Sequence, residues 1–319
     1  MMRNIVIIIP AYNEEVTVKA TIAKFHEQMP EAIIYIIDNN STDNTNRIAN
    51  ETLSEIGCKG KVFFEERQGK GCAIRRAFRE IDSDIYVMVD ADFTYSPQDI
   101  QKLLEPVLKD DADMVIGDRH ITGDYAKENK RRFHQFGNIM VRNLINFLFS
   151  SNLNDIMSGY RVFNKKFVKN LPILSDGFEI ETEMTIHAID RKFRIVEIPI
   201  NYQDRPQGSS SKLKTFSDGY RVIKMIFRIF RDYRPFKFFG FLSMLFFIVG
   251  TLIGLPPVLE FIKYQFVYKV PSAILATGCM IFSLILFSVG LILDTSVRLY
   301  NSNYELRMND WNSKAGERK

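Results

Sequence analysis

The sequence predicts an α/β fold: a doubly wound, mostly parallel sheet, then a basic amphipathic segment and a two-helix transmembrane hairpin. Three observations carry this. Short apolar runs alternate with amphipathic helical stretches four times before residue 116, the pattern of parallel strands joined by right-handed helical crossovers. Polar loops follow the first, second and fourth runs and so collect at one sheet edge, where open α/β sheets bind ligands. Residues 238–259 and 270–293 carry no charge and are each long enough to cross a bilayer.

Asn4–Ile9 reads as the first strand, a continuous apolar run stopped by Pro10. That run is too short for a signal-peptide core and lacks a small-residue cleavage site, so the N-terminal portion is expected in the cytosol. The loop Pro10–Glu15 leads into a helix ending near Met29, and Ile33–Ile37 is the second strand. Ser41 or Thr42 is placed to cap the next helix, which Gly57 ends. Lys61–Phe64 is the third strand, and Gly69-Lys70-Gly71 opens a helix to Ile81. Ile85–Val89 is the fourth strand, Pro97–Lys109 a helix and Met114–Ile116 the fifth strand. A less regular region follows, with helices over Phe133–Phe149 and Glu179–Asp190 and strands over Tyr160–Phe163 and Phe193–Tyr202. Arg205–Lys212 has loop composition. The units expected are a catalytic domain over 1–213, a juxtamembrane segment over 214–237, the hairpin over 238–293 and a tail over 294–319.

In the juxtamembrane segment Phe216, Tyr220, Ile223, Phe227 and Phe230 recur at helical spacing, with Arg221, Lys224, Arg228 and Arg231 on a separate stripe. Such a helix lies in a membrane interface, or packs on the protein's own core with a basic outer face. Residues 214–237 carry seven Lys/Arg and the tail after Leu293 carries five, while the connection Glu260–Lys269 carries two. Basic residues mark the cytoplasmic side, so both termini are expected there. Small residues in the second span, Ala273, Ala276, Gly278 and Ser283, permit close packing and a homo-oligomer through the spans.

Composition narrows the chemistry. A net charge of +4 is too small to argue for nucleic acid. Cys58, Cys72 and Cys279 show no paired spacing, which argues against a disulfide framework or a zinc site and fits a reducing compartment. His26, His120, His134 and His187 are scattered and read as surface or packing residues. The candidate chemistry lies in Asp90-Ala91-Asp92 at the end of the fourth strand. Two carboxylates there can hold a hard divalent cation through oxygen, and the cation a diphosphate. Alternatively, Asp92 or Ser96 caps the helix from Pro97.

Read together, Pro10-Ala11-Tyr12-Asn13-Glu14-Glu15, Asp38-Asn39-Asn40-Ser41-Thr42-Asp43, Gly69-Lys70-Gly71, Asp90-Ala91-Asp92, Gly117-Asp118-Arg119 and Asp155–Arg161 stand in the order of a known motif series. Over roughly residues 3–213 the chain resembles the family-2 glycosyltransferases of the GT-A fold, and within them the polyprenyl-phosphate glycosyltransferases, whose two-helix tail it shares. The resemblance implies that Pro10, Tyr12 and Glu14 line a nucleotide pocket, that Asp38, with Asn40 in its motif, reads base or ribose, and that Lys70 serves the donor. It implies Mg²⁺ or Mn²⁺ on Asp92 and Asp90, beside Ala91. Arg119, Arg131 or Arg132, and Arg205 are candidate phosphate forks, and Ser211 and Lys212 belong to a loop that closes over phosphates. Asp155 becomes the acid near the reaction centre, orienting metal, sugar or acceptor; it can also be a helix cap or an ion-pair partner of Arg161. Of Glu181 and Glu183, one is expected at the sugar and the other in solvent.

The sequence departs from the family in places. Thr94, a weaker metal ligand beside Asp90 and Asp92, stands where that branch often has glutamine, the phosphate loop is one residue longer at Ser209-Ser210, and the Gln-x-x-Arg-Trp motif of processive synthases is missing, Trp311 being the only tryptophan. The resemblance implies an inverting, metal-dependent transfer of a hexose from a nucleotide sugar, UDP- in preference to GDP-linked, to a polyprenyl phosphate at the membrane. Two other activities compete: transfer to a lipid-linked oligosaccharide or surface glycan, and a non-catalytic lipid-moving role.

Overall fold

The computed structural model describes residues 3–120, 132–203, 224 and 227–316, with no side chains described for residues 132–136 and 310–316. The expectations for Arg131, Arg205, Ser211 and Lys212, for the side chain of Arg132, and for most of the juxtamembrane stripe lie outside the described residues. The chain divides into two units, Met1–Gly219 and Tyr220–Lys319.

In the first unit the apolar runs form strands: β1 Ile5–Ala11, β2 Ile33–Asp38, β3 Gly60–Phe64, β4 Ile85–Met88, β5 Met114–Asp118, β6 Arg161–Asn164 and β7 Ile195–Pro199. Between them run α1 Val18–Gln28, α2 Thr45–Glu55, α3 Lys70–Glu80, α4 Ile100–Leu108 behind a 3₁₀ turn Pro97–Asp99, α5 Arg132–Phe149, α6 Lys165–Asn170 and α7 Ile180–Asp190. The strands make one sheet in the order β3-β2-β1-β4-β6-β5-β7. β3, β2, β1 and β4 are parallel, as the alternation predicts, and β7 is parallel to β5. β6 is antiparallel to both β4 and β5, so the sheet is mixed.

Continuous apolar strands are buried on both faces because helices cover both. Ile7, Ile9, Ile34, Ile36 and Val87 share a core with Val18, Ile22 and Phe25 of α1 and Leu103 and Val107 of α4. Each such side chain contributes about 1.5–3 kcal/mol on full burial. On the other face Phe78 of α3 meets Tyr86 and Phe163 edge-on, and Phe163 stacks on Phe167. The strand order reverses between β1 and β4, a topological switch point of the kind at which open α/β sheets place ligands.

Several local details differ from expectation. Neither Ser41 nor Thr42 caps α2; the helix starts at Thr45, whose N–H and hydroxyl both donate to Asp43 Oδ1. Asp43 therefore closes the turn, as acidic side chains do two residues ahead of a helix. β7 is shorter than expected, and α6 is an added turn capped by Asn164, whose side chain accepts from the Phe167 N–H.

In the second unit, α8 Pro235–Tyr264 and α9 Val270–Gly316 pack as a hairpin. Both are long and apolar enough to cross a membrane, and only 11% and 22% of their most apolar windows is buried. α8 runs through Pro256 and Pro257 and continues past the uncharged run 238–259 to Tyr264. Each proline removes one N–H and crowds the carbonyl one turn back, a smaller cost in a membrane than unwinding, which would leave many more backbone groups unpaired. The turn comes at Gln265, at a left-handed φ of 54°. Ser243 and Ser283 join the helices reciprocally, each hydroxyl donating to the other's carbonyl at 2.9 and 2.8 Å. Gly250 and Gly254 face Ala276 across the same seam. Ala276 and Ser283 thus pack within one chain, while Gly278 has open space beside it. Of the basic stripe, Lys224, Arg228 and Arg231 are exposed.

Candidate active site

The loops after β1 and β2 are fastened side by side. Pairing brings Ala11 opposite Asp38, and the Asn39 N–H donates to the Ala11 carbonyl at 2.8 Å. Asn13 and Asn40 take left-handed φ values of 52° and 59°, which asparagine tolerates better than most residues. The Asn13 N–H donates to Ser41 Oγ, and Asn13 Oδ1 accepts from the Thr42 N–H at 2.7 Å. Asp38 is buried, with Oδ1 accepting from the Ser41 N–H and Oδ2 from Asn46 Nδ2. Glu14 is buried and its carboxylate accepts from the Thr17 hydroxyl. Tyr12 accepts from Gln68 Nε2. Pro10 and Asp38, at the ends of β1 and β2, and Tyr12, Glu14 and Asn40, in the loops that follow, thus stand together at the C-terminal edge.

Gly69 and Gly71 determine what meets Lys70. Gly69 has φ 127°, and a Cβ on either glycine would run into the carbonyls of Asp176 and Ser175. The close approach lets the Gly71 N–H donate to the Gly177 carbonyl at 3.2 Å, while Arg75 donates to the Ile173 and Ser175 carbonyls, both at 3.0 Å. This docks the segment ahead of α7 on the start of α3 and brings Glu181 to Lys70. The Lys70 ammonium pairs with both Asp90 and Glu181; the side chains of Lys70 and Glu181 are 10% and 6% exposed and that of Asp90 26%. Burial opposes the charge on Lys70, but the Asp90 and Glu181 carboxylates outweigh it and push its pKa up.

Asp90 and Asp92 follow β4 at the switch point. Gly159 leaves the space that the Asp90 carboxylate fills: a Cβ there would lie 2.5 Å from Asp90 Oδ2. The Gly159 N–H donates to Tyr95 Oη at 2.8 Å, and Thr21 Oγ1 donates to the Ala91 carbonyl at 3.1 Å. Asp92 Oδ1 accepts from both the Thr94 N–H and its hydroxyl, at 3.2 and 2.7 Å. The Thr94 hydroxyl thus faces Asp92. Between them Phe93 sits at φ 59°, which costs a bulky residue about 1–2 kcal/mol. Asp92 caps its own turn rather than the helix at Pro97, and Ser96 donates to Gln98. Among the described residues no cluster of three or more His, Cys, Asp or Glu side chains is arranged to hold a metal ion. Two carboxylates are still sufficient for Mg²⁺ or Mn²⁺, which take one or two carboxylates plus substrate phosphates. Asp90, already bearing an ammonium, shows that the position accepts a cation.

Beyond Tyr95, whose ring meets Tyr160 and Tyr202, lies a second charged cluster. Arg119 grips Asp155 with two parallel bonds, Nε to Oδ2 at 2.7 Å and Nη2 to Oδ1 at 2.9 Å, and its N–H adds a third. The guanidinium stands 5.7 Å from the centre of the Tyr202 ring. Burial pushes the Asp155 carboxyl up, but Arg119 outweighs it and holds it below the usual carboxylate range. Glu197 of β7 accepts from the N–H groups of Asn154 and Asp155 and so sets this loop. Burial, with the charges of Asp118 and Asp155 nearby, pushes the Glu197 carboxyl up. Arg161 is fully buried and donates to the Ile156 and Ser158 carbonyls and to Thr185, bracing the loop from beneath. The ion-pair partner of Asp155 is therefore Arg119, not Arg161.

Sequence reasoning missed Glu197 and the bracing role of Arg161. It singled out Glu181 but not its partner, and it put one of Glu181 and Glu183 in solvent. Neither is there: Glu183 accepts from the Leu174 and Ser175 N–H groups at 2.8 and 2.9 Å. Asp118 is buried, and its Oδ1 accepts from the His120 N–H while Oδ2 has no hydrogen-bond partner among the described residues.

Comparison with known proteins now adds to the geometry. The family profile described as "Glycosyl transferase family 2" matches residues 6–171, just over half of the chain. Glycosyltransferase AglJ of Haloferax volcanii is 32% identical over 223 residues, covering 70% of each chain. Undecaprenyl-phosphate mannosyltransferase of Micrococcus luteus is 29% identical over 212 residues, 64% of this chain and 85% of that protein. Glucosyl-3-phosphoglycerate synthase of Mycobacterium tuberculosis, solved with Mn²⁺, UDP and phosphoglyceric acid, superposes with a TM-score of 0.55 at 20% identity over 72% of this chain and 78% of that one. That likeness supports the GT-A fold. From the matched profile and these relatives, the chain belongs to glycosyl transferase family 2.

Proposed function

We propose that the chain is an inverting hexosyltransferase that moves a hexose from a nucleotide sugar, UDP- in preference to GDP-linked, to a polyprenyl phosphate. The product is a lipid-linked monosaccharide at the cytoplasmic membrane face, for use in cell-envelope glycan. The observation that carries the reading is the pairing, in one chain, of an acidic loop at the sheet's switch point with two helices whose apolar faces are exposed. A bilayer would cover those faces, and the acceptor would reside in it. Undecaprenyl-phosphate and dolichyl-phosphate hexose transferases among the relatives support the same acceptor class.

Each residue has a derivable task. Tyr12, Asp38 and the loops around them receive the nucleoside. Asp90 and Asp92 would hold Mg²⁺ or Mn²⁺; the ion, when bound, neutralises charge developing on the departing diphosphate. Arg119 presents a guanidinium suited to phosphate oxygens. Asp155 uses both oxygens to fix that guanidinium, so it positions and is assigned no proton transfer. None is needed, because a phosphate acceptor is already ionised near neutral pH. In-line attack by its oxygen on the anomeric carbon inverts the configuration as the nucleoside diphosphate leaves.

The test offers full-length protein, in detergent, a set of UDP- and GDP-hexoses with either polyprenyl phosphate or a lipid-linked oligosaccharide. Hexosyl polyprenyl phosphate of inverted anomeric configuration is expected. Transfer confined to the saccharide acceptor rejects the acceptor assignment, and a retained configuration rejects the mechanism.

A further inference from the structure

Lys70 opens α3, the helix end that carries partial positive charge and disfavours a cation. It is nonetheless buried there, because Asp90 and Glu181 both pair with its ammonium. Glu181 is itself 5% exposed and reaches Lys70 only through the backbone approach that Gly69 and Gly71 allow. A buried lysine between two carboxylates is costly to build, and the same glycines that let the Gly71 N–H meet the Gly177 carbonyl bring its second carboxylate into reach.

We infer that Lys70 is a cation built into the donor site, occupying Asp90 until a nucleoside diphosphate arrives with a divalent ion, so that ion and nucleotide bind together instead of separately. The inference rests on the reading of Asp90 and Asp92 as the ion's ligands. The charges explain the coupling. Lys70, Asp90 and Glu181 sum to one negative charge. A divalent ion entering alone must either displace the ammonium from Asp90 or sit beside it, and like charges repel at that range. A diphosphate brings negative charge that accommodates both cations, and the ammonium, a movable point charge on a flexible stem, is free to turn to its oxygens. Glu181 is then the positioning residue: it keeps Lys70 at the site in both states.

The test is Mn²⁺ binding, read from the electron spin resonance of free Mn²⁺, with and without UDP, on full-length protein in detergent. The variants are Lys70→Met, Lys70→Arg, Asp92→Asn and the double variant Lys70→Met/Glu181→Gln. The double variant keeps the triad's net charge while removing the occupant, and it avoids leaving Glu181 buried without its partner. Wild type and Lys70→Arg should bind Mn²⁺ weakly alone and much more tightly with UDP. If the ammonium holds Asp90 nine-tenths of the time, the double variant should bind Mn²⁺ alone about tenfold more tightly, and the enhancement by UDP should shrink by the same factor. Lys70→Met should move in the same direction. A folded double variant, by circular dichroism, that binds Mn²⁺ alone no more tightly than wild type overturns the inference; if Asp92→Asn still abolishes Mn²⁺ binding, the ligand reading stands. Mn²⁺ binding unaffected by Asp92→Asn overturns the ligand reading and the inference with it.

Discussion

Changing Asp155 to asparagine leaves the shape of the site and removes one charge from a buried pair. Asp155 is 1% exposed and the Arg119 side chain 10%, so solvent screens the pair little. Two charge-assisted bonds join them, at 2.7 and 2.9 Å. Each such bond contributes about 1.5–3 kcal/mol, and removing one partner of a buried pair costs about 3–5 kcal/mol because the other charge is stranded. For a unit of this size that corresponds to a fall of about 6–20 °C in the unfolding temperature. The assay is thermal unfolding in detergent of wild type, Asp155→Asn, Arg119→Met and the double variant. The double variant should be more stable than the sum of the single losses predicts, by about 2–3 kcal/mol. The pH dependence carries a sign. The folded carboxyl is held below its unfolded value, so this stabilisation is present above about pH 4 and fades as pH falls through the folded value. Asp155→Asn should flatten that acid limb. Additive single losses, or a loss under about 1 kcal/mol for Asp155→Asn, would refute the description of the pair as buried and coupled.

Three further outcomes follow. Gly159→Ala puts a methyl against the Asp90 carboxylate, so Mn²⁺ binding with UDP should weaken at least about tenfold, since an ångström of misplacement at a site is costly; unchanged titrations would contradict the crowding. Gly71→Ala meets the Ser175 backbone carbonyl rather than a flexible side chain, so it should destabilise by about 1–3 kcal/mol and loosen Lys70 from Glu181, with faster amide exchange over residues 173–177 as the readout. Ser243→Ala with Ser283→Ala removes the hairpin's reciprocal bonds and should cost about 0.6–2 kcal/mol, measured by unfolding in mixed detergent; a neutral pair of substitutions would leave helix packing to Gly250, Gly254 and Ala276.

Most of the strand framework was legible because its residues leave few choices. Runs such as Ile5–Ile9 and Ile85–Val89 are satisfied by burial on two faces, and the polar loops after them then fall on one edge; β3, which begins Gly60-Lys61, is instead a largely exposed edge strand. The direction of β6 was not legible. It depends on how the long connection after β5 returns, and Tyr160–Phe163 pairs equally well either way in composition. The site showed the same division. Asp90-Ala91-Asp92 and the loops around Tyr12 and Asp38 are contiguous motifs, readable locally. The Lys70–Glu181 and Arg119–Asp155 pairs join residues far apart in sequence, and only the backbone approach at Gly69 and Gly71, or the turn set by Glu197, brings them together. The glycines flanking Lys70 were the available signal for the first pair. Nothing local marked Arg161 for burial, since its partners are two carbonyls and the Thr185 hydroxyl rather than acids. In the hairpin, the uncharged run 238–259 marked the span, but nothing in it marked the further turn of α8 through Glu260 and Lys263 to Tyr264.

The central claim is that Asp92 at the switch point serves transfer of a hexose to a lipid phosphate. The most direct measurement is formation of radiolabelled lipid-linked hexose by wild type and Asp92→Asn, full-length, in nanodiscs containing polyprenyl phosphate with Mn²⁺ and labelled nucleotide sugar. Wild type should form the product and Asp92→Asn, melting within a few degrees of wild type, should form none. Product formed at the wild-type rate by Asp92→Asn would contradict the account.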